Sequence, residues 1–132
     1  MKNKALLFLV SFCLLLVFFQ SYTSARPLSK GAIKTTQIRI YTITKGKMEA
    51  FVDAWQKGVY PLRIKFGFKI ENAWIVKEEN KFIWTVSWEG PEDFMAMDSA
   101  YYASASRRQL QVDPAQYVAE RQNYFLQPAL PR

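Results

Sequence analysis

Residues 68–89 read FKIENAWIVKEENKFIWTVSWE, two runs of β-branched and aromatic residues around a polar knot, and how these runs pair decides the fold of the rest. Such residues favour a pleated, half-buried surface, and EENK at 78–81 is polar enough to turn the chain back on itself. The pattern predicts adjacent antiparallel strands over 68–78 and 81–89. Side chains alternate across a strand, so Phe82, Trp84, Val86 and Trp88 share one face. That row of rings needs a cover.

Upstream, QIRIYTIT at 37–44 alternates in the same way and predicts the first strand, with Lys45-Gly46 as the turn that follows. Met48, Phe51, Val52, Trp55, Val59, Leu62 and Phe66 then recur at three- and four-residue steps, a helix with one buried stripe. Gly58 and Pro61 predict a kink near Tyr60, and Gly67 suits the left-handed cap that ends the helix. Downstream, Gly90-Pro91-Glu92-Asp93 reads as the start of a second helix running to about Arg107, which buries Phe94, Met97 and one of Tyr101 and Tyr102. Asp113-Pro114 opens a short third helix to Gln122, and NYFLQPAL is a last strand that Pro128 confines to an edge.

The order β-α-β-β-α-(α)-β is that of a ferredoxin-like α+β subunit with a four-stranded antiparallel sheet and its helices on one face. Two helices cover one face only. The expectation is that the other face carries Arg39 and Tyr41 together with one aromatic row of strands two and three. Burying one large aromatic contributes about 1.5–3 kcal/mol, so a second copy packed sheet to sheet is the economical cover, giving a homodimer that closes an α+β barrel.

The N-terminus has a different character. Lys2 and Lys4 precede an uncharged apolar run over 5–19 and then QSYTSA, the order of a secretory signal peptide cut after Ala25. As a helix the run reaches only about 22 Å against a hydrocarbon core of ~30 Å, so no stable membrane span is predicted once the leader is removed. The predicted location is secreted or periplasmic, the alternative being an uncleaved segment that tethers the protein to the membrane. Residues 1–25 are therefore set aside as leader, 26–36 as a flexible spacer, and 37–132 as one domain.

The one cysteine, Cys13, falls in the leader and the chain has no histidine, so the exported part has no disulfide and must hold together by packing or association. The same absence excludes the usual zinc sites, a histidine-ligated haem, a Ser-His-Asp triad and a Cys-His pair. Neither a dinucleotide-binding G-x-G-x-x-G nor a phosphate-binding G-x-x-x-x-G-K-[ST] is present. No metal and no cofactor is predicted. Basic residues exceed acidic ones, 18 to 11, but they are scattered rather than striped, and nucleic acid is not an expected partner.

Aromatics and arginines carry what chemistry remains. Arg39 and Tyr41 share a face of strand one, where a guanidinium beside a phenol suits a carboxylate or enolate oxygen; the plainer reading pairs Arg39 with Glu71 or Glu89 across the sheet. Trp55 lies on the apolar stripe of helix one, as core or with its indole N–H in a cleft, and Trp74, Trp84 and Trp88 are barrel packing or the walls of a pocket for a flat apolar ligand. Tyr60 and Arg63 flank the kink, where a pocket mouth can form, and of Tyr101 and Tyr102 only one ring can enter the core. Arg107-Arg108 read as a basic helix end that complements the dipole.

Taken in order, IRIYTITKGKMEAFVDAW, VYPLRIKFGF, NAW, KFIWTVSWEGPEDF, AYYAS and DPAQYVAE resemble the NIPSNAP family of the dimeric α+β barrel superfamily, over about 37–126. The resemblance implies a ferredoxin-like subunit that dimerises through its sheet, with the family pattern falling on Arg39, Tyr41, Gly46, Trp55, Pro61, Leu62, Arg63, Gly67, Trp74, Trp84, Tyr101 and Tyr102. It implies no settled reaction. Three functions follow: a module binding a small apolar or aromatic ligand or a protein partner, a cofactor-independent enzyme in which Arg39 steadies an oxyanion while Tyr41 or Tyr60 relays a proton, and a purely structural subunit. The two ligand readings call for a closed pocket of a few hundred Å³ between helix one and the sheet, with Arg39 or Arg63 pointing in.

Overall fold

The computed structural model describes residues 33–130, so the expected leader and most of the expected spacer lie outside the described residues. Four strands, β1 (Ile33–Ile43), β2 (Lys69–Val76), β3 (Lys81–Gly90) and β4 (Val118–Leu126), form one antiparallel sheet in the order β2-β3-β1-β4. The helices α1 (Met48–Ala54), α2 (Tyr60–Lys65), α3 (Phe94–Ala103) and α4 (Ala105–Arg108) complete the expected ferredoxin-like α+β arrangement. Among the described residues no helix is long and apolar enough to cross a membrane.

The hairpin of 68–89 forms as its residues dictate. A single 3₁₀ turn, Lys77–Glu79, ends at Asn80 with φ 52°, a left-handed position that asparagine tolerates better than most residues. Asn80 also joins the tip to β1, accepting from Ile43 N at 2.9 Å and donating its side-chain amide to the Ile43 carbonyl. β1 begins at Ile33, four positions before the expected strand and inside the expected spacer, because Lys34, Thr35 and Thr36 pair with Glu89, Trp88 and Ser87 along the full length of β3.

The kink at Tyr60 is a π-helical turn, Trp55–Val59, which joins α1 to α2 and leaves Pro61 in the first turn of α2, where its missing N–H costs least. At the far end, Gly67 (φ 91°) donates to Ile64 O at 2.9 Å and Phe68 donates to Arg63 O at 3.1 Å, the paired bonds of a Schellman cap. That cap sets Phe68 against Arg63, whose guanidinium carbon stands 4.8 Å from the ring centroid.

The second and third helices differ from expectation. α3 starts at Phe94, with Asp93 as its N-cap accepting from Met95 N (2.8 Å) and Ala96 N (3.3 Å), so Pro91 lies outside the helix. It does not reach Arg107 unbroken. Ser104 is extended, donates to Tyr101 O at 2.7 Å and caps α4 by accepting from Arg107 N at 3.2 Å. After Asp113 only the 3₁₀ turn Pro114–Tyr117 forms, and Val118 enters β4, because the uncovered edge of β1 needs a partner: Thr44 N donates to Tyr117 O at 2.8 Å, and Ile43 pairs with Val118. Sheet pairing overrides the helix-forming character of Ala119, Glu120, Arg121 and Gln122.

Register settles the faces and corrects one expectation. Residues directly opposite in an antiparallel pair share a face, and Gln37, Arg39 and Tyr41 stand opposite Val86, Trp84 and Phe82. Arg39 and Tyr41 therefore lie under the helices with the aromatic row of β3, buried at 2% and 8% exposure, and not on the uncovered face. The rings of Phe51, Trp55, Phe82 and Trp84 meet edge to face at 5.0–5.4 Å between centroids. Trp88, the last of the row, folds over the strand end against Gly90; a Cβ there would come within 2.7 Å of its ring. The open face carries Ile38, Ile40 and Ile83, half-buried, with Trp74, Tyr124 and Leu126 exposed.

Candidate functional site

Two clusters sit between the helices and the sheet. The first is charged. β1 points Arg39 upward, α2 brings Arg63 and α3 brings Asp98, whose Oδ1 accepts from Arg39 Nη2 at 2.8 Å and from Arg63 Nη1 at 2.5 Å. Gln37 Oε1 takes Arg39 Nε at 2.7 Å, and Tyr102 Oη takes its Nη1 at 3.2 Å. Arg63, fully buried, lies 3.6 Å above the Tyr101 ring. Burial works against the Arg39 charge, but interactions with Tyr41, Tyr102 and Asp98 outweigh it and raise its pKa above the ordinary guanidinium value. Two guanidiniums thus share one carboxylate, with aromatic faces helping to offset the surplus positive charge. The expected partners of Arg39 are engaged elsewhere: Glu71 with Lys34, and Glu89 with Lys69 at 3.1 Å, both away from the helices.

Beside this cluster is a cavity of about 30 Å³, open on one side and lined by α1 and the π turn, by α3, α4 and the Pro114 turn, and by the sheet. Five of the predicted residues line it: Tyr41, Trp55, Trp84, Tyr101 and Tyr102. Arg39 and Arg63 do not; they are committed to Asp98, so a few-hundred-Å³ pocket with either arginine aimed inward is not what the fold builds. Arg107 and Arg121 line the cavity instead. Asp113 holds Arg107 by two 2.9 Å bonds to Nη1 and Nη2 while capping Ala115 N at 2.9 Å, so one carboxylate fixes both the guanidinium and the turn.

Four of the residues that line the cavity carry buried polar groups. Trp55 Nε1, Trp84 Nε1, Tyr101 Oη and Arg107 Nε are buried and have no hydrogen-bond partner among the described residues. Leaving one such group unsatisfied costs about 1–3 kcal/mol. Burial also raises the Tyr41 phenol above its ordinary pKa against the pull of Arg39, and raises Tyr101 against Arg63. Both phenols stay protonated at neutral pH, which suits donors and not bases.

The other predicted residues are dispersed. Tyr60 is exposed at the kink with its ring 5.6 Å from Trp55, Trp74 stands on the open face, and Trp88 donates its Nε1 to Glu92 O at 2.9 Å. Asp98 and Arg107 were missed by sequence reasoning. A signal existed for Asp98, since Phe94, Asp98, Tyr101 and Tyr102 recur at the spacing of one helix face. Among the described residues no three His, Cys, Asp or Glu side chains gather in a metal-binding group.

No protein-family model and no curated protein matches the chain. Solved structures do. The fold is similar to that of an uncharacterized NIPSNAP domain protein from Burkholderia xenovorans, with 18% identity, a TM-score of 0.60, and 74% of this chain and 99% of that chain covered. A NIPSNAP family protein from Agrobacterium tumefaciens strain C58 superposes at a TM-score of 0.65, with 12% identity over 74% of this chain and 88% of that one. A protein described as a candidate antibiotic biosynthesis monooxygenase from Nitrosomonas europaea has a TM-score of 0.56 and 15% identity over 76% and 94% of the two chains. At these identities the likeness is one of fold: the chain has the NIPSNAP fold.

Proposed function

We propose that this chain is an exported, NIPSNAP-like homodimer whose helix–sheet cavity holds the polar end of a small apolar or aromatic ligand. The observation that carries the reading is the set of four buried donors without protein partners on residues lining one aromatic-walled space. The ligand's polar end sits in the cavity and its apolar body rests at the mouth, where Tyr102 is exposed. Pairing through the open sheet face is supported by Ile38, Ile40 and Ile83 beside exposed Trp74, Tyr124 and Leu126, an apolar surface that a second copy would dry.

A binding module is favoured over an enzyme. The candidate oxyanion group, Arg39, is held by Asp98, and Tyr41, offered as a proton relay, has its pKa raised, with burial outweighing Arg39. A thermal-shift screen of the full-length chain against neutral and charged small aromatic compounds tests the reading. A rise in melting temperature with some of them, reduced by Trp84→Phe, supports it. No rise across the panel overturns it.

A further inference from the structure

Resting on that cavity reading, we infer that the loop from Arg107 to Asp113 is a lid, which lifts to join the cavity with the groove behind it into one site for a small aromatic ligand. The two spaces call for such a motion. The cavity measures about 30 Å³, whereas sites that enclose a small molecule run to about 300–1,000 Å³. Behind the loop lies a groove of about 410 Å³, lined among others by Ala54, Gly58, Leu110, Val112 and Tyr117. Cavity and groove take neighbouring residues of the same two segments. Trp55 and Val59 line the one and Ala54 and Gly58 the other; Arg107 and Ala115 stand on the cavity side, Leu110 and Val112 on the groove side. The π turn and the loop form the partition, and of the two the loop has the weaker hold.

Among the described residues Leu110, Gln111 and Val112 make no hydrogen bond, by backbone or side chain. Other turns are tied: Asn80 bonds Ile43 twice, and Gly67 and Phe68 close the Schellman cap. The loop has two holds instead. At its neck Arg107 and Asp113 form two 2.9 Å bonds, but the carboxylate is 46% exposed, so water competes for it and the pair opens at small cost. At its middle Leu110 is half-buried against Gly58, where a Cβ would stand 3.3 Å from a leucine methyl carbon. A segment held by one solvated ion pair and one apolar contact opens far more readily than the sheet beneath it.

The flanks, by contrast, are firm. Ser104 Oγ accepts from Arg107 N, Asp113 caps Ala115 N at 2.9 Å, and Tyr117 O accepts from Thr44 N at 2.8 Å. Motion is therefore confined to the loop. Arg107 lies 5.5 Å over the ring of Tyr102, at the mouth, so parting it from Asp113 frees the guanidinium there and widens the opening. Lifting Leu110 off Gly58 then removes the partition. A ligand in the joined space offers Leu110 and exposed Val112 an apolar surface to close on, and that differential contact favours the closed lid when the site is filled.

Spin labels on the two walls of the groove, at Lys57→Cys and Val112→Cys with Cys13→Ser, read its width by electron paramagnetic resonance in the full-length chain; both sites are exposed. The separation is expected to be broad or double in the free protein and to narrow on saturation with 1-naphthol, a flat neutral aromatic probe. Asp113→Asn keeps an oxygen for Ala115 N and weakens the neck. It should lengthen the separations, and stopped-flow should show 1-naphthol binding and leaving roughly fivefold faster with Kd little changed. Leu110→Ala should act in the same direction, by roughly tenfold. A fixed wall would not raise both rates together. One separation, unchanged by 1-naphthol and by Asp113→Asn, with unchanged rates, overturns the lid and leaves the cavity reading standing. Failure of 1-naphthol to bind the unaltered protein removes the cavity reading and the lid with it. Comparing the labelled protein with and without the probe decides the matter even where Asp113→Asn or Leu110→Ala fails to fold.

Discussion

The two faces of the one sheet invert the usual expectation of what is buried. Along β1 the side chains that turn toward the helices are Gln37, Arg39, Tyr41 and Ile43, whereas those that turn away are Thr36, Ile38, Ile40 and Thr42. The charged residue is hidden and the plain isoleucines are only half-covered. The difference teaches that polarity along a strand does not by itself choose the inner face. A guanidinium can be buried when a carboxylate, an amide oxygen, a phenol and a ring all meet it, and Asp98, Gln37, Tyr102 and Trp84 do so for Arg39.

The largest test of this contrast removes the anion under the helices. Asp98→Asn leaves two buried guanidiniums without a carboxylate and should lower stability by about 3–5 kcal/mol, read as a shifted urea midpoint. On the open face, Ile40→Asp should dissociate the proposed dimer, with a loss of about 1.5–3 kcal/mol and of the concentration dependence of melting, while near-UV signals from the helix-side rings persist. A wild-type mass of one subunit by sedimentation would end the dimer half of the comparison.

Alkali should act on the helix face through its two buried phenols. The folded-state pKa of Tyr41 and Tyr101 is raised, so the native protein holds these protons after the unfolded chain releases its own. Their contribution is complete below the phenol's ordinary value of about 10 and is lost as pH climbs through the folded values, and Tyr41→Phe should flatten that fall.

A smaller effect belongs to the cavity rim. Burial would raise the Asp113 carboxyl, but the Arg107 guanidinium and the Ala115 N–H outweigh burial and hold it below its ordinary value. Its contribution is therefore present above the usual carboxylate range and disappears as pH falls through the folded value. Asp113→Asn should cost about 1 kcal/mol at neutral pH, since the carboxylate is part-exposed, and should reduce the acid dependence. Smallest of all, Asp53→Asn on the outer surface of α1 should change stability by less than about 0.5 kcal/mol, its pair with Lys57 being solvated on both sides.

Much of the fold was legible because its signals are local. The hairpin of 68–89 follows from alternation and from Asn80, the end of α2 from Gly67, and the kink from the proline at 61. The site was half legible. Tyr41, Trp55, Trp84 and Tyr101 announce themselves as large rings on buried stripes. Asp98, Arg107 and Arg121 do not, since an acid or a basic residue in a polar segment reads as solvated until something packs against it.

Sequence alone determined the order of strands and helices, the turns between them and the aromatic character of the interior, because each rests on neighbours a few residues apart. Tertiary structure decided which side of β1 faced inward, which carboxylate met Arg39 and Arg63, and where Arg107 pointed. Those choices depend on register and on partners 35 and 59 residues distant, as for Arg63 and Arg39 with Asp98, and a pairwise contact at that separation leaves no periodic mark on the chain.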